Sequence, residues 1–179
     1  MKSFFRIFSL ILLQALVLQL VSCKHGNPSP EETSGAEDPV EVVVAVEDFK
    51  LAGNNSSFSD YVGKGRFTLV YFWASWSKPS VRQLSRFEDF RQQCLDAGAE
   101  LDFLSIAVGD SAGIAVPLAL EKAPDITALS CSSTLPVELY SLQSLPQVVL
   151  FGPDGTLLKR DAGWRALYKA ILQSCGSQE

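Results

Sequence analysis

Two serines, Ser77 and Ser80, bracket a lysine and a proline in Trp76-Ser77-Lys78-Pro79-Ser80, where an apolar run gives way to a helical pattern. A hydroxyl at such a start can cap a helix by accepting a free backbone N–H. A serine hydroxyl is far less acidic than a thiol and cannot form a disulfide. The residues that could do thiol chemistry are Cys23, Cys94, Cys131 and Cys175, and no two of them form a Cys-x-x-Cys pair. Thiol–disulfide exchange needs a thiolate and a second thiol to resolve the mixed disulfide. The one histidine, His25, precedes every strand and helix read below, which excludes a histidine general base or histidine metal site in the domain. No Cys/His cluster has zinc-ligand spacing, so neither a metal nor a cofactor is expected.

The elements that must position these residues begin at Val40. Val40, Val42, Val44 and Val46 alternate at period two, as in a strand. Phe67 to Trp73 is a nearly continuous apolar run, expected of a strand covered on both faces. Ser77 to Ala97 reads as a helix, with Val81, Leu84, Phe87, Phe90, Cys94 and Leu95 inward and Arg82, Arg86, Glu88, Asp89 and Arg91 outward. Strands are expected at 101–108, 126–131, 147–151 and 156–160, and helices at 112–122, 134–142 and 164–175. Pro117 complicates the second helix, and Gly152-Pro153-Asp154-Gly155 is a hairpin signal. The order implies an α/β fold: a mixed sheet with helices on both faces, strands joined across a helix running parallel and the closing hairpin antiparallel.

The 179 residues suffice for one domain of ordinary size, and 47% are hydrophobic, enough for a sizeable core. Lys2 and Arg6 precede an apolar run from Ile7 to Val21, too short for a membrane span of about 20 residues. It reads as a signal peptide, residues 1–22. Leu20-Val21-Ser22-Cys23 resembles a bacterial lipobox, in which Cys23 would be lipidated and become the first mature residue; the alternative is an ordinary signal with a stray cysteine. Acyl chains contribute about 0.8 kcal/mol per buried methylene, and two or more anchor stably. Residues 23–39 are polar, acidic and rich in Pro and Gly, a solvated tether. Without residues 1–22 the net charge falls from −5 to −7. That argues against nucleic acid, and against adhesion to anionic lipid by charge alone. The expected location is the bacterial cell envelope, with a domain over 40–179 in the periplasm or at the cell surface.

The run Val70-Tyr71-Phe72-Trp73-Ala74-Ser75-Trp76-Ser77-Lys78-Pro79-Ser80 resembles the strand–loop–helix signature of the thioredoxin-like, membrane-anchored thiol–disulfide oxidoreductases (TlpA-like). The resemblance extends over about residues 40–175. It is carried also by Ser59-Asp60-Tyr61-Val62-Gly63-Lys64-Gly65, by Tyr140-Ser141-Leu142-Gln143-Ser144-Leu145-Pro146 and by Leu150-Phe151-Gly152-Pro153-Asp154-Gly155. It implies a thioredoxin-like fold. It also implies that Ser77 and Ser80 stand where the family has its two cysteines. An Asp or Asn that manages protons is replaced by Tyr71, and a buried Glu that tunes the thiols by Gln83. The site is thus degenerate, with no catalytic residue at those positions. By the same resemblance Leu145-Pro146 is a cis-proline dipeptide facing the helix start, where a bound peptide pairs in an extended way without any sulfur. Trp76, Ser77, Lys78, Leu145 and Pro146 would form that groove. An envelope protein or extended peptide is the expected partner, and Lys78 could favour an acidic one. The plainer alternative makes Lys78 a solvated loop residue, Trp76 a rim contact and Ser77 merely a cap.

In this fold the first and last helices share a face, which would bring Cys94 towards Cys175. A disulfide across that 81-residue separation would stabilise by roughly 4 kcal/mol in the chain-entropy model, given a suitable Cα spacing. Cys131 reads as a small buried apolar residue rather than a catalytic thiol. A peroxiredoxin-like reading fails, because no cysteine lies between Cys23 and Cys94. Three functions remain open at this point: a redox-inactive binding module, a thiol oxidoreductase working through Cys131 or Cys94, and a structural lipoprotein domain.

Overall fold

The computed structural model describes residues 46–53, 55–160 and 163–175, the last without the Cys175 side chain. The signal peptide, Cys23, the tether and the expected strand up to Val46 lie outside the described residues, apart from Val46 itself.

Five strands, β1 (Phe67–Trp73), β2 (Leu101–Val108), β3 (Thr127–Cys131), β4 (Gln147–Phe151) and β5 (Leu157–Arg160), form one sheet in the order β3-β2-β1-β4-β5. Among the described residues four helices accompany them: α1 (Lys78–Asp96), α2 (Ala112–Lys122), α3 (Leu135–Leu139) and α4 (Trp164–Cys175). A 3₁₀ turn, Phe58–Asp60, precedes β1.

β1 runs through the middle of the sheet, and its alternation sorts side chains into two cores. Leu69, Tyr71 and Trp73 face α1, α2 and α4, whereas Val70 and Phe72 face Phe49, Phe58, Val62, Tyr140 and Phe151 on the other side. Burial on both faces explains the nearly continuous apolar run. Each fully buried large apolar side chain is worth about 1.5–3 kcal/mol relative to exposure. The aromatic rings pack closely as well: Tyr71 stacks on Phe87 with centroids 5.0 Å apart, and Phe90 lies 5.0 Å from Trp164. The latter contact joins α1 to α4.

Several expectations need correction. Leu95 is 42% exposed, because it sits one residue past Cys94 and is rotated off the inward stripe near the end of α1. Arg91 does not simply face solvent: it is held between Glu88 and Asp125, each at 2.8 Å, tying the end of α1 to the turn before β3. The expected helix over 134–142 shrinks to Leu135–Leu139, because Tyr140 turns into the core and Ser141 takes a left-handed φ of 48°. Pro117 stays inside α2, on an exposed position of the helix.

The strand directions also differ in one place. β1, β2 and β3 are parallel, as expected of strands linked by α1 and α2. β4, although it follows a helix, is antiparallel to β1. The five-residue α3 rises only about 7.5 Å, too little to return the chain to the other end of the sheet. β4 therefore starts near the end where β3 finishes and runs back.

Candidate binding groove

β1 delivers Trp73 and Ala74 to the edge of the sheet where α1 begins. There the chain turns sharply: the Ser77 amide donates to the Ala74 carbonyl at 3.1 Å, and the Ser75 amide donates to Asp110 Oδ2 at 2.7 Å. Asp110 lies in the turn after β2 and also accepts the Ser111 amide at 2.9 Å. Its backbone joins β3, donating to the Cys131 carbonyl at 3.2 Å and accepting the Ser130 hydroxyl at 2.8 Å. Asp110 thus fixes the Ser75-Trp76 turn through its carboxylate and holds on to the end of β3 through its backbone. Sequence reasoning missed Asp110; its place directly after the β2 run and Gly109 is the signal that could have found it.

Ser77 has extended backbone angles and caps α1: its Oγ accepts the Ser80 amide at 3.4 Å, a long bond for this type. Pro79 sits in the first turn of α1, where a missing N–H costs nothing. Ser80 is fully buried, and its hydroxyl has no hydrogen-bond partner among the described residues. Tyr71 is buried beneath it and donates its hydroxyl to the Ser80 carbonyl at 2.7 Å. Burial pushes that phenol well above its ordinary range, so it stays protonated. Tyr71 is therefore a committed donor and packing residue, not a proton relay. Gln83 is half-buried and cannot ionise.

The Leu145–Pro146 peptide bond is cis. Trp76, 70% exposed, and Leu145 both line one groove of about 290 Å³. Val108 and Gly109 from the end of β2 and Thr134, Val137 and Glu138 around α3 complete its walls. Ser77, Lys78 and Pro146 are not among the lining residues; Ser77 is turned inward as the cap, and Lys78 is exposed on the first turn of α1. The β2 and α3 walls were not foreseen, since they come from distant parts of the chain. The backbone N–H and C=O of Leu145 take no hydrogen-bond partner among the described residues. A half-buried, unused donor–acceptor pair beside an exposed indole is what an extended strand needs to dock.

The cysteines lie apart. Cys94 belongs to the core under α1, whereas Cys131, at the end of β3, belongs to the core on the opposite face of the sheet. The sheet between them prevents a dithiol. Burial pushes the Cys131 thiol above its ordinary range, and a hydrogen bond from the Ser133 amide only partly opposes this. The Cys94–Cys175 pairing falls on a side chain outside the described residues. No group of side chains able to hold a metal ion occurs among the described residues.

No protein-family model matches the chain, and no curated protein does. Solved structures do resemble it. The exposed lipoprotein thioredoxin Etrx1 of Streptococcus pneumoniae is 21% identical, with a TM-score of 0.54 over 70% of this chain and 98% of that one. A thiol:disulfide interchange protein, DsbE, assigned in Chlorobium tepidum gives 22% identity and a TM-score of 0.57 over 72% of this chain and 94% of that one. A thiol-disulfide oxidoreductase assigned in Bacteroides vulgatus, 16% identical, gives 0.59 over 84% of this chain and 91% of that one. At these identities the likeness is one of fold, and the fold is thioredoxin-like.

Proposed function

We propose that this chain is a redox-inactive, thioredoxin-like binding module that holds an extended peptide, or an extended segment of an envelope protein, in the groove between Trp76 and Leu145. The observation that carries this reading is the unused Leu145 backbone pair beside the exposed Trp76, on a helix start bearing hydroxyls instead of thiols. Strand-like docking uses main-chain hydrogen bonds for affinity and needs no electron transfer. The burial and separation of Cys94 and Cys131 speak against the thiol-oxidoreductase alternative.

The envelope location and the lipid anchor at Cys23 belong to the same proposal. They rest on the apolar run over residues 7–21, whose end reads on as Leu20-Val21-Ser22-Cys23. Among the described residues no helix is long and apolar enough to cross a membrane. Labelling with a radioactive fatty acid, lost in Cys23→Ala, tests the anchor.

The groove is tested by titrating the isotope-labelled protein with an extended, β-branched peptide. Amide shifts confined to Trp76, Val108, Gly109, Thr134 and Leu145 support the reading. Shifts elsewhere, or none, overturn it.

A further inference from the structure

A basic stripe runs along α1 from its first residue. Lys78, Arg82 and Arg86 recur at four-residue steps along α1 and are all exposed, so they share one outer face of the helix. Arg86 continues onto α4: its guanidinium lies over the Trp164 ring, 5.6 Å from the centroid. Arg165 and Lys169 join it around one open cleft of about 520 Å³. Among the described residues none of these five cations makes an ion pair, although the chain as a whole carries a net charge of −5. Arg66, Arg91 and Lys122, by contrast, each have a carboxylate within 4 Å. Asp89, one turn beyond Arg86, closes the stripe.

We infer that the segment bound in the groove is acidic on one flank, and that this flank lies along the α1–α4 stripe. This deepens the proposed function and rests on it. Cations one helical turn apart lie within a Debye length of each other, so their fields reinforce. Such a row selects and steers a run of carboxylates, and arginine takes each in a forked, two-bond geometry. The stripe starts at Lys78, two residues along the chain from the groove residue Trp76, which favours a peptide flank over a lipid surface.

The test uses the full chain in detergent and two peptides with the same extended β-branched core, one flanked by glutamates and one by glutamines. The glutamate peptide is expected to bind about tenfold more tightly at low salt, with the advantage fading as salt rises. Arg82→Glu with Arg86→Glu should remove that advantage without changing the affinity for the glutamine peptide. Arg165→Glu with Lys169→Glu should do the same, and does not depend on the Arg86–Trp164 contact. Equal affinity for both peptides overturns the acidic preference while leaving the groove reading intact. Binding of neither peptide removes both. If the charge-reversed variants instead lose only their retention on phosphatidylglycerol vesicles, the stripe faces a membrane and the inference is wrong. It is also wrong if the preference emerges only after Glu31, Glu32, Glu37 and Asp38 are changed to amides, for then the chain's own tether covers the stripe.

Discussion

The Tyr71 hydroxyl donates to the Ser80 carbonyl across 2.7 Å, in the heart of the core under the first turn of α1. A phenol held this way anchors the helix start but cannot pass a proton. Tyr71→Phe should therefore cost about 1 kcal/mol, the net worth of one buried hydrogen bond. Tyr71→Asp should cost several times more, because it places a carboxyl against Phe87. Urea melts of the three proteins check the order.

Tyr71 and Tyr140 are both kept protonated chiefly by burial, with the carboxylates of Glu47 and Asp48 adding to the effect at Tyr140. Tyr140 also donates to the Glu47 carbonyl. The unfolded chain loses these protons first as pH rises. Their contribution is thus complete below pH about 10 and declines above it. Stability measured from neutral pH to about pH 11 should fall less steeply in Tyr71→Phe than in the unaltered protein. Identical slopes would contradict the assignment.

Ser80 Oγ is buried without a partner among the described residues. Ser80→Ala should leave stability unchanged or raise it by about 1 kcal/mol, since it removes an unpaired hydroxyl. Ser77→Ala should instead lower it, by about 0.5–1 kcal/mol, through loss of the helix cap. Thermal melts that reverse this order would show that Ser80 has a partner.

Converting Ser77→Cys and Ser80→Cys together should give a pair that oxidises readily, because the positions bracket the first turn of α1. Exchange activity should stay modest, since Tyr71 is committed to the Ser80 carbonyl and Gln83 has no titratable group. Thiol counting after mild oxidation checks the bond. A pair that stays reduced means that the loop geometry is wrong.

Asp110→Ala should weaken peptide binding severalfold by releasing the Ser75 amide, and destabilise by about 1–3 kcal/mol. Gly155→Ala makes a contrasting case. Gly155 has a φ of 86°, and a Cβ there would collide with Val46. It should cost about 2 kcal/mol or more while leaving the affinity of the folded protein unchanged. Melting curves and peptide titrations on both variants separate the two effects.

Much of the scaffold was legible because period and punctuation agree. β1 is a nearly continuous apolar run and β2 a largely apolar one, and α1 begins at a serine cap with proline in its first turn, so their limits fall where the pattern places them. The short elements were less legible. The end of α3 is decided by Tyr140 turning into a cluster with Phe58, Phe72 and Phe151, a tertiary effect with no local signal. The direction of β4 depends on the length of α3, which the sequence overstates. At the site, Trp76 and Leu145 were marked by a local resemblance. Val108 and Val137 were invisible because their role arises only when β2 and α3 meet the Ser75-Trp76 turn, and Asp110 is marked only by its place after Gly109.

The most direct test of the account is insulin disulfide reduction by the full chain with a thiol donor present. Turnover should not exceed the uncatalysed background, and Cys131→Ala and Cys94→Ala should change nothing. A rate above background that either substitution abolishes would make this chain a working oxidoreductase and contradict the central claim.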